Sequence, residues 1–92
     1  MRVLLSRSAL TDLAWFRAYY KSVFPEGENN AIAQLNKIIR LLETNPYLGK
    51  PSAVKGRREF HVPRTPFTLV YRVTEENIEI VRFWDERQGT FD

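Results

Sequence analysis

The sequence predicts an α+β fold: a β-α-α-β-β-β chain with a two-helix hairpin packed on a small, mainly antiparallel sheet. Three observations carry this. Two apolar stripes with helical spacing follow one another in the first half. Three short stretches rich in β-branched and aromatic residues fill the second half, separated by gaps too short for anything but antiparallel neighbours. Neither helix can bury its stripe alone, so both must lie on the sheet.

Met1 to Leu5 is short and apolar and reads as the opening strand, with Val3 and Leu5 on one face. Ser6 or Ser8 can cap the next element, a helix, because a serine oxygen accepts from the free amides of a first turn. Ala9, Leu13, Phe16, Tyr20 and Val23 form its stripe, and Pro25 and Gly27 are read as its end. The second helix is expected to begin near Glu28 to Asn30, with Ile32, Leu35, Ile39 and Leu42 as its stripe and Ile38 widening it. Asn45-Pro46 stops it, since the residue before proline is pushed out of helical geometry.

Pro46 to Gly56 holds two prolines and two glycines and reads as a loop. The later strands are predicted over Arg58 to Val62, Phe67 to Thr74 and Ile78 to Trp84, joined by Pro63-Arg64-Thr65-Pro66 and Glu75-Glu76-Asn77. Strict alternation groups Phe67, Leu69, Tyr71 and Val73, and in the last strand Ile78, Ile80, Arg82 and Trp84, with Val81 and Phe83 opposite. Both faces are partly apolar, and the pattern leaves open which one meets the helices. The residues after Asp85 read as a polar tail.

The 92 residues suit one domain spanning 1–92, with a thin core. Two Trp, four Tyr and six Phe can supply large buried areas to it. There is no cysteine, hence no disulfide and no thiolate zinc site, which is compatible with a cytoplasmic protein. The apolar run at the N-terminus is too short for a signal peptide or a membrane span. The net charge of +3 does not by itself indicate nucleic-acid binding. Lys50, Lys55, Arg57 and Arg58 fall within nine residues that contain no acid, a pattern of solvated loops and also of surfaces that meet acidic partners.

Gly56, Arg58-Glu59, Pro66-Phe67, Val70-Tyr71-Arg72-Val73 and Arg87-Gln88 occur in an order that resembles the C-terminal half of ParE-type toxins of the RelE/ParE superfamily. Upstream, Ala9 with Asp12-Leu13, Tyr19-Tyr20, Leu41-Leu42 and the Asn45-Pro46-x-x-Gly49-Lys50-Pro51 turn are similar to the same family, so the resemblance covers nearly the whole chain. Where many ParE-like sequences carry His-x-Arg near the end, this chain has Asp85-Glu86-Arg87.

The superfamily divides by target. RelE-like members cut mRNA on the ribosome; ParE-like members bind and stall DNA gyrase without covalent chemistry of their own. Cleavage needs a base for the 2′-hydroxyl, charge to stabilise the phosphorane and help for the leaving oxygen. Aligned on the Val-Tyr-Arg-Val strand, the two lysines of the nuclease pattern fall on Glu59 and His61, and an arginine falls on Thr68. Arg87 alone is kept. The resemblance therefore implies a gyrase-poisoning toxin of a type II toxin-antitoxin system, with no catalytic residue, cofactor or metal site. A ribosome-dependent mRNA endonuclease, or an inactive relative that binds only antitoxin, is the alternative.

The implied partners are gyrase and a cognate antitoxin whose acidic, initially disordered segment wraps the toxin into a hetero-oligomer. No membrane and no sequence-specific DNA binding by the toxin alone are expected. Lys50, Lys55, Arg57, Arg58, Arg82, Trp84 and Arg87 are the candidate contacts. Arg58 and Glu59 are also candidates for pairing across the sheet, and His61 reads as a half-exposed structural residue beside Glu59. Arg87 is expected to be an ordinary surface arginine offering its planar donors to a carboxylate or phosphate.

Overall fold

A computed structural model describes residues 1–88. The opening strand β1 (Arg2–Leu5) leads into α1 (Arg7–Val23) and α2 (Pro25–Thr44), and then come β2 (Lys50–Pro51), β3 (Arg58–His61), β4 (Phe67–Val73), β5 (Asn77–Asp85) and a 3₁₀ turn over Glu86–Gln88. The five strands form one sheet in the order β1-β5-β4-β3-β2. β1 runs parallel to β5, and the remaining pairs are antiparallel.

Ser6 performs the capping role. Its Oγ accepts from the Ala9 amide at 3.1 Å and donates to the Val81 carbonyl at 2.8 Å, so one hydroxyl starts α1 and fastens it to the sheet. The helix connection is tighter than the sequence suggests. Only Phe24 separates the helices, and Pro25 opens α2 rather than ending α1. A proline fits the first helical position because its missing N–H would have no partner there anyway. Gly27 lies inside α2, where the Phe24 ring packs over it and an added Cβ would have to push that exposed ring aside.

The core settles which sheet face meets the helices. Ala9, Leu35, Ile38 and Leu42 pack with Leu69, Tyr71, Ile78, Ile80 and Phe83, while Phe16, Tyr20 and Ala31 pack with Phe67. Phe16 meets Phe67 edge-on, with ring centroids 4.3 Å apart. Val23, expected in the α1 stripe, is exposed.

Alternation along β5 is broken. Tyr71 pairs with Ile80 but Val70 pairs with Arg82, so Val81 is an inserted bulge residue. The bulge flips the faces beyond it: Phe83 and Asp85 turn inward with Ile78 and Ile80, while Arg82 and Trp84 turn away. The grouping of Ile78, Ile80, Arg82 and Trp84 is thereby corrected.

The loop predicted over Pro46 to Gly56 contains the two-residue strand β2, with Lys50 opposite Glu59 and Pro51 opposite Arg58. Gly49 is buried where this segment crosses the sheet. Its amide donates to the Tyr71 hydroxyl at 2.8 Å, and its carbonyl accepts from Arg58 Nε at 2.9 Å and Nη2 at 2.6 Å.

Candidate functional site

On the helix-free face of the sheet, cross-strand register sets the side chains in rows. His61 lies opposite Thr68, and Thr68 opposite Trp84. In the next row Glu59 lies opposite Val70, and Val70 opposite Arg82. Glu59, His61 and Thr68, the positions where the nuclease pattern carries cations, are thus neighbours on one surface.

Glu86 closes over that surface from the 3₁₀ turn. Its Oε1 accepts a hydrogen bond from Thr68 Oγ1 and lies 3.0 Å from His61 Nδ1. The Thr68 hydroxyl, and then His61, hold the Glu86 carboxyl below its ordinary range. His61 is therefore paired with Glu86 rather than Glu59. Glu59 instead meets Lys50 at 3.6 Å across β2 and β3, a pairing across the sheet of the kind expected, whereas Arg58 turns back onto its loop, over the Tyr47 ring at 5.4 Å.

The candidate contacts do not converge on one place. Lys55 and Arg57 line an open groove with Arg72 and Glu79, which are themselves joined at 2.7 Å. The loop carrying them is shaped by Gly56, with φ +85, and by the Ser52 amide on the Arg57 carbonyl at 2.9 Å. Arg82 and Trp84 border a second cleft of about 220 Å³ with Asp12 and Trp15. β1 pairs with β5 only as far as Ile80. Beyond it, Asp12 of α1 takes the place of a neighbouring strand: it accepts from Arg82 Nε at 2.7 Å, Arg82 Nη2 at 3.0 Å and the Phe83 amide at 3.1 Å. The bond to Asp12 raises the Arg82 pKa. Arg82 also lies over the Trp84 ring at 5.7 Å. The sequence does not mark Asp12 as a site residue, because nothing in its local pattern shows that it caps an open strand.

Arg87 departs most from expectation. Nearly half of its side chain reaches solvent, but each of its three nitrogens already donates a hydrogen bond within the protein. Nε and Nη2 grip the buried Asp85 at 3.0 and 2.8 Å, and Nη1 donates to the Tyr19 hydroxyl at 2.9 Å. The guanidinium lies over the Tyr19 ring at 4.6 Å, and Tyr19 stacks on Trp15 with centroids 5.6 Å apart. Arg87 holds the Asp85 carboxyl below its ordinary range, and Asp85 raises the Arg87 pKa in return. Arg87 is a structural clamp, not an ordinary surface arginine, and the polar tail read after Asp85 starts with an ordered turn. Residues 89–92 lie outside the described residues.

Among the described residues, no group of three or more His, Asp or Glu could hold a metal ion, and no helix is long and apolar enough to cross a membrane.

The chain thus sets a hairpin of two helices on a five-stranded sheet whose final strand is followed by an ordered turn. The model of the family described as "ParE toxin of type II toxin-antitoxin system, parDE" matches residues 3–89, and the chain belongs to that family. Among solved structures it is similar to one from a chromosomal ParDE toxin-antitoxin system of P. aeruginosa, with 29% identity, a TM-score of 0.79, and coverage of 90% of this chain and 92% of that one. It shares its fold with the E. coli DinJ-YafQ complex, with 20% identity, a TM-score of 0.70, and coverage of 99% and 100%. It also shares it with the YoeB dimer from Staphylococcus aureus, with 17% identity, a TM-score of 0.59, and coverage of 90% and 93%. No curated protein sequence matches the chain.

Proposed function

We propose that this toxin inhibits growth in the cytoplasm by binding and stalling DNA gyrase, without covalent chemistry of its own, and that a cognate antitoxin neutralises it. The observation that carries the reading is the make-up of the helix-free sheet face. Where RNA cleavage calls for cations around a phosphorane, this face offers Glu59 and Glu86, with the Thr68 hydroxyl and the His61 ring turned to Glu86. Two carboxylates there would repel the charge that builds up on phosphorus. Arg87, the one cation kept from the nuclease pattern, is bound to Asp85. The likeness to a ParDE toxin-antitoxin structure supports the same side. The fold shared with YafQ and YoeB does not choose between targets.

The purified toxin is expected to inhibit gyrase supercoiling, with stalled or cleaved DNA complexes, and to leave ribosome-bound mRNA intact. Defined mRNA cuts with supercoiling untouched would establish the nuclease reading instead.

The antitoxin reading rests on the ParDE and DinJ-YafQ likenesses and on the cations Lys50, Lys55, Arg57 and Arg58, with Arg82, Trp84 and Arg87 as further contacts. The side chain of Lys50 is highly exposed, and its pair with Glu59 is long at 3.6 Å. Lys50, Lys55 and Arg57 are the cations best placed to meet an acidic segment, because Arg58 is committed to Gly49. Antitoxin binding should raise the melting temperature by mass action and weaken with salt. A calorimetric titration with equal affinity at low and high salt would remove the electrostatic part.

A further inference from the structure

The turn between β3 and β4 holds an arginine in a seat that favours glycine. The Thr65 amide donates to the Val62 carbonyl at 3.2 Å, which defines a four-residue turn with Pro63 and Arg64 in the middle. Arg64 has φ +64 and is the one described non-glycine residue with positive φ. Proline at the first central position and positive φ at the second make this a type II turn, whose second position selects Gly or Asn because a Cβ is strained there. A residue held against that preference is a reason to look for a use of its side chain.

Arg64 is exposed and makes no hydrogen bond or ion pair with another described residue. It stands at a groove of about 290 Å³ between the helix hairpin and the turn, and is the only charged side chain among the described residues lining it. Tyr20, Phe24 and Ala31 give that groove apolar walls, and Asn30 and Gln34 add side-chain amides.

We infer that Arg64, with Asn30 and Gln34, forms a carboxylate-recognition site that takes an acidic side chain from a segment of the partner protein. A carboxylate has two acceptor oxygens and no donor. A free guanidinium can take both in a bidentate pair, and amide N–H groups can satisfy the remaining lone pairs. The walls of Tyr20 and Phe24 suit an apolar neighbour of the acidic residue. This site is separate from the cations of the 50–58 stretch. It rests on the reading that an acidic protein segment wraps this toxin, and it stands or falls independently of gyrase being the target.

The test uses the full-length toxin, a capped Leu-Glu-Leu tripeptide, the matching Leu-Gln-Leu tripeptide and inorganic phosphate, followed by NMR of the Arg64 Nε–H and the Asn30 and Gln34 amides. The Glu peptide should shift all three groups with saturation, and the Gln peptide should bind roughly tenfold more weakly, as loss of a charge-assisted pair implies. Arg64→Gly should weaken the Glu peptide by a similar factor while raising the melting temperature by roughly 4 °C, because the turn relaxes. Arg64→Lys should keep only part of the affinity. Equal binding of the two peptides, tighter saturation by phosphate than by the Glu peptide, or a lower melting temperature for Arg64→Gly would each overturn the assignment.

Discussion

Replacing Gly49 by alanine should cost about 3 kcal/mol or more of stability, through overpacking and broken buried hydrogen bonds. An alanine Cβ would lie 2.5 Å from the Glu59 carbonyl oxygen and 2.9 Å from the Tyr71 hydroxyl. The first of these is backbone within a paired strand and cannot swing aside. The 46–51 segment would have to retreat, pulling the Gly49 amide from Tyr71 and the Gly49 carbonyl from Arg58. Tyr71 is fully buried, so its hydroxyl would lose its partner out of reach of bulk water. For a domain of this size the loss corresponds to a fall in melting temperature of roughly 12–24 °C. Tyr71→Phe should cost less, about 1–3 kcal/mol, since it leaves one buried amide unpaired without a clash. Thermal melts of both variants check the ordering, and a Gly49→Ala protein melting with the parent would remove the close-approach argument.

That cluster explains why several pieces of the family pattern were legible from sequence while their roles were not. Gly49, Arg58 and Tyr71 are far apart along the chain, and each can be read alone as turn former, basic contact or strand aromatic. In the fold they form one lock between the 46–51 segment and the sheet. Local signals worked where the physics is local: Ser6 caps, Asn45-Pro46 stops a helix, and the apolar stripes find the core. They failed where tertiary packing decides. Pro25 is acceptable both after a helix and at the start of one, and its role depends on Phe24 packing against Gly27. The Val81 bulge changes which side chains face inward, and alternation cannot reveal an inserted residue. Glu86 and Arg87 look like the start of a polar tail until Thr68, Asp85 and Tyr19 are placed beside them.

Arg87→Ala should destabilise the protein by about 2 kcal/mol. Breaking a buried ion pair from one side costs about 3–5 kcal/mol. The Arg87 side chain is 46% exposed, so solvent screens part of its field and the cost falls below that range. Asp85, whose side chain is 4% exposed beneath Arg87, would keep the Arg87 backbone amide as a donor, at 2.9 Å, but lose its counter-ion. The pH dependence is set by the sign of the shift. The folded state holds the Asp85 pKa below its unfolded value. The stabilisation is therefore complete above the unfolded carboxylate range and is lost as pH falls through the folded pKa. Without Arg87 that pKa rises, so acid unfolding of Arg87→Ala should begin at higher pH than in the parent. Arg87→Lys should recover only part of the loss, because an ammonium cannot reproduce the two-pronged contact with Asp85 and the bond to Tyr19. The same clamp governs how toxicity data are to be interpreted. An Arg87→Ala toxin that fails to inhibit growth has lost fold stability as well as a guanidinium. The double variant Asp85→Asn with Arg87→Gln replaces the ion pair by amides, which removes the uncompensated buried charge. If Arg87 contacts the target, the double variant should be nontoxic even when it melts near the parent. Toxicity that instead tracks melting temperature across Arg87→Ala, Arg87→Lys and the double variant would assign Arg87 to the fold alone.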